Sequence, residues 1–300
     1  MKLNNKMSSL DRNSSKEYEA FFKYLINSTK TIPNTRTKYI PQGICVIEDN
    51  ILITSYDEEK KDNSIIYLIN DNGYQKKIIL DGKYHLGGIS YDKNNNEIYV
   101  TGYGSNKGES YVNIYDYNDI LSYDDNERNL LKLEKKIKVD KNFELLSSAS
   151  RNKISSPAYL YVNENHLYVG NYHTNKSIIK KYLIEGNNIN ENNYEIIKNP
   201  FYYTQGMCIY NYNDIDYYIF SSSKGRRSNS VLYIATLDNN SLTRVGELTL
   251  PCMSEQLCII DNKLAIIFES CARKYYRNAR NVIDSICYLD IDRIIKDICK

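Results

Sequence analysis

The sequence predicts an all-β fold, a five-bladed β-propeller with a short N-terminal helix, closed by an N-terminal strand. Three observations lead to this prediction: an apolar strand that recurs five times, a second strand after a short turn in each unit, and a serine that opens the third strand. The units have four antiparallel strands each and recur about every 45–70 residues, which is typical of the blades of a propeller. We predict a helical extension over residues 1–34 and a single propeller domain over residues 35–300.

The first strand of each unit opens with a small or polar pair and continues as an apolar run. The five runs are Gln42–Ile47, Gly87–Tyr91, Ser156–Tyr161, Gln205–Tyr210 and Glu255–Ile260. The second strands are Ile51–Tyr56, Ile98–Tyr103, Leu167–Tyr172, Tyr218–Ser223 and Leu264–Ser270. Asn and Asp stand in the turns between them, as in hairpins. The serines that open the third strands are Ser64, Ser110, Ser177, Ser230 and Ser285.

A fourth strand is readable in only four of the five units. These strands are Lys76–Leu80, Leu133–Val139, Tyr194–Lys198 and Val245–Leu250. The last unit ends instead in Asp292–Lys300, which has the pattern of a short helix. We therefore expect Thr35–Ile40, directly before the first unit, to complete the last blade and close the ring. Helical spacing over Ser15–Ser28 predicts a helix before it.

Composition excludes several classes of function. The 39 basic residues nearly balance 37 acidic ones, which gives no electrostatic basis for binding nucleic acid. No apolar run reaches the length of a membrane span. The N-terminus lacks the apolar region of a signal peptide, which indicates a cytosolic protein or one whose leader has been removed. Seven cysteines without a CxxC pair favour reduced thiols. The sequence leaves location and oligomeric state open.

Polar residues gather where first strands start and second strands end, and the hairpin geometry places these positions on one face. We call this face the mouth. Concave sites with a few convergent polar groups are the usual ligand-binding sites. The small residues Gly43, Gly87, Gly88 and Gly206 let the backbone approach the axis closely. The predicted ligand-binding residues are Gln42, Tyr56, Tyr103, Asn171, His173, Gln205, Ser222, Arg226 and Lys274.

The predicted catalytic candidates are Glu255, Glu269 and His85. Glu269 ends an apolar strand, and a buried carboxylate needs a partner, which Arg226, Arg273 or Lys274 would supply. Either the carboxylates form structural ion pairs, or they act as general acid, general base or metal ligand. His85 is either a ligand or catalytic group or a histidine that stiffens a loop. No P-loop, HExxH, GxSxG or zinc-ligand spacing is present.

Several short elements resemble a group of Gram-positive bacterial propeller proteins of no established activity. They are Pro41-Gln-Gly43, His85-Leu-Gly-Gly88, Gln205-Gly206, Ser221-Ser-Ser-Lys-Gly-Arg226, Ser254-Glu255 and Phe268-Glu-Ser270. The resemblance implies that Gln42, His85, Gln205, Arg226, Glu255 and Glu269 share one site. The sequence departs from the group at Gln256, where glycine is usual, and at Ser156-Pro157. Members of the group are commonly exported.

A looser likeness, through His85-Leu-Gly-Gly88, is to lactonase and strictosidine-synthase-type propellers. Such a likeness implies a calcium site, for which Asn171, Glu255 and Glu269 are the candidates here. A divalent cation therefore stays open as a cofactor.

Three functions are compatible with these residues. The first is a binding protein that holds a small polar or anionic ligand, such as a saccharide or a peptide end, at the mouth. The second is a glycosidase- or lactonase-like hydrolase or lyase that uses Glu255, Glu269 and His85. The third is a protein-interaction platform on the rim. A separation of about 5–10 Å between the two carboxyls would favour glycosidase chemistry.

Overall fold

A computed structural model describes residues 16–33, 35–70, 72–103, 110–124, 129–140, 157–172 and 177–299. The all-β prediction is confirmed: within these residues the chain forms twenty strands in four sheets, with four short α-helices and a 3-10 helix. None of the described helices has the length and apolar character needed to cross a membrane.

The described chain enters through helix α1 (Glu19–Tyr24) and strand β1 (Leu25–Thr31) and then forms antiparallel meanders. The first meander is β2 (Tyr39–Ile47), β3 (Asn50–Asp57), β4 (Ile65–Asn70) and β5 (Gly73–Ile79). The second is β6 (Ile89–Asp92), β7 (Glu97–Tyr103), β8 (Ser110–Asp116) and β9 (Lys135–Asp140), with helix α2 (Tyr117–Ser122) after β8.

The largest sheet has eight strands and contains two further meanders. They are β10 (Pro157–Asn163), β11 (His166–Asn171), β12 (Ser177–Glu185) and β13 (Asn188–Asn199), then β14 (Thr204–Tyr212), β15 (Ile215–Ser222), β16 (Ser230–Asp238) and β17 (Ser241–Leu250). One parallel residue pair, Lys198 with Ser241, joins the two meanders through β13 and β17.

The last sheet combines the two ends of the described chain. Its strands are β18 (Ser254–Ile260), β19 (Lys263–Phe268), β20 (Ser285–Asp290) and β1, in the order β1-β20-β19-β18. The 3-10 helix Glu269–Cys271 and helix α3 (Arg273–Tyr276) lie between β19 and β20, and helix α4 (Ile291–Ile298) follows β20. The short C-terminal helix is therefore confirmed.

The predicted N-terminal elements need correction. The strand that pairs with β20 is β1, and not Thr35–Ile40. Within that segment Thr35 accompanies a turn, since its amide and hydroxyl bond the Ile32 carbonyl, and Arg36 has φ of 60°. The predicted helix over Ser15–Ser28 is limited to α1, because the backbone becomes extended at Leu25.

The first strands of the five meanders contact one another in a closed cycle. β2 contacts β6, β6 contacts β10, β10 contacts β14, β14 contacts β18, and β18 contacts β2. Close approach requires glycine: a Cβ at Gly87 would lie 2.0 Å from the Ala158 carbonyl oxygen, and one at Gly206 would lie 2.6 Å from the Gln256 Cα.

The Gln256 side chain lies at the centre of this cycle and is buried. Its Oε1 accepts the amides of Ile44 (3.2 Å) and Ile89 (2.8 Å). Its Nε2 donates to the carbonyls of Ile89 (2.8 Å) and Leu160 (3.3 Å). One amide group from β18 thus ties together the backbones of β2, β6 and β10.

Two of the serines that open third strands anchor the next meander. The Ser64 hydroxyl donates to the Tyr84 carbonyl (2.7 Å) and accepts the Tyr84 amide (2.8 Å), just before β6. The Ser230 hydroxyl accepts the Ser254 amide (3.1 Å) at the start of β18. These two serines therefore stabilise the connection between neighbouring meanders. All seven cysteines are free thiols, and six of them are buried.

Candidate functional site

Bulges at the start of the first strands direct side chains toward the mouth. The pairing register shifts between Pro41 and Gly43 in β2, and equivalent shifts occur in three other first strands. A bulge re-aims the side chain of the extra residue. The residues within the shifts are Gln42, Ala158, Gln205, and Glu255 with Gln256.

Polar and small residues are divided unevenly around the cycle. Gln205, Glu255 and Gln42 belong to β14, β18 and β2, which are neighbours. The two remaining first strands bring Gly87 and Ala158 to the corresponding places. Polar groups therefore line one side of the mouth, whereas on the other side small residues let the backbones approach closely.

Glu255 and Glu269 form a carboxyl pair, which we call the acid pair. Glu255 is 1% exposed, and its Oε1 accepts a long hydrogen bond from Gln205 Nε2 (3.4 Å). Glu269 keeps part of its surface open to solvent, and its Oε2 accepts from Gln42 Nε2 (3.1 Å). The Glu255 Oε2 atom is buried without a hydrogen-bond donor among the described residues.

The two carboxyls are within hydrogen-bonding reach of each other, so they can bond only while one of them is protonated. Burial raises the pKa of Glu255 well above its ordinary value, and the charge and hydrogen bond of Glu269 act in the same direction. Burial also raises the pKa of Glu269 to about 7, against the opposing effects of Gln42, Lys274, Glu255 and Arg226. The pair therefore shares a proton near neutral pH.

Tyr56, His85 and Tyr275 form the wall beside the acid pair. The rings of Tyr56 and His85 lie 4.6 Å apart between centroids. The hydroxyls of Tyr56 and Tyr275 are hydrogen-bonded, and burial raises the pKa of both. His85 is exposed, yet the surrounding protein lowers its pKa by desolvation, and Lys60 and Lys274 act in the same direction. His85 is therefore a neutral imidazole at pH 7.

Arg226 and Lys274 are exposed and lie over one ring; we call them the rim cations. The Arg226 guanidinium carbon is 5.7 Å and Lys274 Nζ is 5.2 Å from the Tyr275 centroid. Both positive charges lower the pKa of Glu269, although neither side chain forms an ion pair with a described residue. The third predicted partner, Arg273, pairs with Glu58 instead.

A cavity of about 450 Å³ lies beside the same wall. Tyr56 and His85 line it, together with Asp57, Lys60, Asp62, Ser64, Lys83 and Tyr84. Neither member of the acid pair lines this cavity. We place the candidate site at the acid pair, because two coupled carboxyls meet there with amide donors but with no cation in ion-pair distance among the described residues.

The remaining predicted ligand-binding residues differ in their surroundings. Asn171 is buried, and its Oδ1 has no hydrogen-bond partner among the described residues. Ser222 is also buried, and its hydroxyl donates a hydrogen bond to the Tyr202 carbonyl. The hydroxyl therefore binds the backbone of the chain before β14. Tyr103 ends β7, and its side chain lies outside the described part of the chain, as does His173.

Sequence reasoning missed three tyrosines. Tyr275 follows Lys274 directly and contacts both rim cations. Tyr172 follows Asn171 and is 42% exposed, and its ring centroid lies 5.5 Å from that of Tyr203 with the two ring planes tilted by 50°. Burial raises the pKa of Tyr172, and Tyr203, Glu255 and Glu269 raise it further. The position of Tyr172 and Tyr275 directly after predicted site residues was the available signal, and Tyr203 lies two residues before Gln205.

Metal ligation has little support in this part of the molecule. No group of three or more His, Cys, Asp or Glu residues among those described could hold a metal ion. Two carboxylates are a small part of the six to eight oxygens that calcium takes.

Searches with protein-family models and against curated proteins match nothing. The chain is similar to an auxiliary nutrient binding protein from Bacteroides thetaiotaomicron, with 10% identity and a TM-score of 0.46 over 83% of this chain and 58% of that one. It is also similar to a GH32 beta-fructofuranosidase from Bombyx mori in complex with sucrose, with 11% identity and a TM-score of 0.45 over 85% of this chain and 61% of that one. An engineered GH43 glycoside hydrolase has 9% identity and a TM-score of 0.46 over 80% of this chain and 49% of that one. The chain spans about half to three fifths of these structures.

Proposed function

We propose that this chain is a five-bladed propeller that binds a small polar ligand at the mouth. Five blades are supported by the five four-stranded meanders and by the closed cycle of first strands. The eight-stranded sheet then counts as two blades, since among the described residues the strand pairing between its halves is limited to Lys198 with Ser241.

The observation that supports ligand binding is the buried Glu255 Oε2 atom. A buried carboxylate oxygen without a donor costs free energy of about 1–3 kcal/mol or more. A ligand that brings an N–H or O–H donor removes this cost, and Glu269 beside it offers a second acceptor. Gln42 and Gln205 keep the two carboxyls in place by bonding one oxygen on each.

The surrounding side chains suit a small polar molecule. Tyr172 and Tyr203 supply ring faces, and the rim cations Arg226 and Lys274 supply positive charge. Planar polar groups and aromatic rings around a concave site are the usual means of orienting small ligands.

Ligand screening with matched variants tests this proposal. We would measure thermal shifts and then calorimetric affinities for saccharides, amino acids and organic acids with the wild type and with Glu269→Gln. We expect a ligand whose affinity falls about ten-fold or more in Glu269→Gln and is unchanged in Glu247→Gln, an exposed control. Ligands that bind both variants equally, or a complete lack of binding, would overturn it.

An enzyme remains a second candidate, because the raised pKa of Glu269 lies near neutrality. The two carboxyls are coupled, so they act as one acid and not as two independent groups. We therefore propose the acid pair as one proton-sharing acid in a hydrolase or lyase, with neutral His85 as base. Turnover of chromogenic glycosides or lactones that disappears in both Glu269→Gln and His85→Ala would support this candidate, whereas turnover unchanged in either would reject it.

A further inference from the structure

Charge is arranged in two layers at the mouth. The acid pair, Glu255 and Glu269, is buried or partly buried, whereas the rim cations, Arg226 and Lys274, are exposed. The Tyr275 ring connects the layers: it contacts both rim cations, and the negative charges of Glu269 and Glu255 raise its pKa.

Each layer lacks a partner of opposite charge in direct contact. The acid pair has amide donors from Gln42 and Gln205 but no cation within ion-pair distance among the described residues. The rim cations have the Tyr275 face and no carboxylate within the same distance, again among those residues. Unmatched groups of both signs in one mouth indicate a ligand that carries both.

We propose that the ligand is a small zwitterion of the amino-acid type, whose ammonium group binds Glu255 and Glu269 and whose anionic group binds Arg226 and Lys274. This inference rests on the binding function proposed above. An ammonium group has three N–H donors and can reach Glu255 Oε2 and the neighbouring carboxyl together. A carboxylate accepts the forked donors of arginine well.

Simpler ligands leave one layer unmatched. A plain anion would be attracted to the rim cations but repelled by the acid pair. A plain amine would satisfy the acid pair but meet two positive charges at the rim. A neutral sugar would supply donors to Glu255 Oε2 without compensating the negative charge that the proton-sharing pair keeps near neutral pH.

Ammonium binding would displace the proton that the acid pair shares. One positive charge replaces another, so proton release accompanies ligand uptake near neutral pH. Several other ionisable groups face the pair or its wall. They are Tyr56 from β3, Lys60 after β3, His85 before β6, Tyr172 after β11, Tyr203 before β14, Arg226 after β15, and Lys274 and Tyr275 from α3.

The test is calorimetry with probes matched in size. Each of the common α-amino acids, and the spacing series glycine, β-alanine and γ-aminobutyrate, is compared with its amine-only and carboxylate-only analogues. We expect at least one zwitterion to bind with Kd below about 1 mM and both of its analogues to bind about ten-fold more weakly. Titration at pH 7 in two buffers of different ionisation enthalpy should show proton release.

Variants assign the two ends. Glu269→Gln should abolish proton release and weaken the zwitterion and the amine, whereas Lys274→Gln should weaken the zwitterion but not the amine. His85→Gln should keep proton release, and Lys296→Gln on α4 serves as the charge-matched control.

Two outcomes would overturn the zwitterion, and they have different consequences. Binding of a saccharide, or of an analogue as tightly as its zwitterion, with loss in Glu269→Gln, would reject the zwitterion and leave the binding function intact. Absence of any ligand that depends on Glu269 would reject both proposals.

Discussion

The side-chain amide of Gln256 pairs with the backbone of Ile89 in both directions. Its Oε1 accepts a hydrogen bond from the Ile89 amide, and its Nε2 donates one to the Ile89 carbonyl. The donor–acceptor distance is 2.8 Å in both bonds. The two residues belong to β18 and β6, which are not neighbours in the cycle of first strands. The glutamine side chain therefore bonds backbone groups at the centre of the molecule as a neighbouring strand would, and it does so for more than one first strand.

Replacing Gln256 by leucine should destabilise the protein strongly. Leucine has a similar size but cannot bond the buried backbone groups of Ile44, Ile89 and Leu160. We expect a loss of about 2–4 kcal/mol in the free energy of unfolding, measured by urea denaturation. Gln75→Leu, on an exposed part of β5, is the control and should change stability by less than about 0.5 kcal/mol. Equal effects would contradict the central role of Gln256.

Alanine at Gly87 tests the close approach of β6 and β10. The new Cβ would lie 2.0 Å from the backbone oxygen of Ala158, so strands must separate. We expect a loss of about 3 kcal/mol or more in the free energy of unfolding. Gly73→Ala meets no atom within 4 Å but has φ of 99°, and should cost only about 1–2 kcal/mol of backbone strain. A larger effect at Gly73 would mean that spacing at the axis is not limiting.

The acid pair should make the native state less stable as pH rises. Both carboxyls have raised pKa values, so the folded protein keeps a proton that the unfolded chain has released above about pH 4.3. The stability that Glu269 contributes at low pH is therefore lost between about pH 4.3 and about 7, on the order of 3 kcal/mol, and the contribution of Glu255 is lost as its carboxyl ionises at higher pH. The double variant Glu255→Gln, Glu269→Gln should show a flatter profile in urea denaturation from pH 4 to 8.5. An unchanged slope would mean that other groups control the pH dependence.

Glu97 holds two strands of the second meander together. It is buried and accepts from Lys135 Nζ (2.7 Å) and from the Tyr99 hydroxyl (3.1 Å). Glu97→Ala should lower the free energy of unfolding by about 1–3 kcal/mol, because the Lys135 ammonium loses its carboxylate partner and the Tyr99 hydroxyl loses one of its acceptors. Glu247→Ala breaks the exposed pair with Arg244 and should cost less than about 0.5 kcal/mol. Thermal unfolding of the two variants would distinguish them, and a reversed order would contradict this account.

Repetition in the sequence predicted most strands, because an apolar alternation followed by an Asn- or Asp-containing turn leaves few alternatives to a hairpin. It did not predict β1. Leu25 follows a stretch with helical spacing, and only its pairing with β20 makes it extended. Thr35 was misassigned because the turn there depends on the positive φ of Arg36, which no residue type signals.

Hairpin geometry also predicted that Gln42, Glu255 and Glu269 would meet. It could not predict how the chain after Glu269 turns. Short helical segments there direct Tyr275 toward the mouth and Arg273 toward Glu58. Local turns orient the side chains beyond the end of a repeated unit, so the repeat does not predict the directions of those side chains.

The pairing of β1 with β20 has a consequence for synthesis on the ribosome. β1 is synthesised before the first four meanders, and its partner β20 is synthesised after them. Until β20 has been made, β1 lacks its pairing strand while the first four meanders are synthesised. We expect nascent chains that end before Ser285 to expose β1 to chaperones or to other chains, because the last sheet cannot form until β20 has been made.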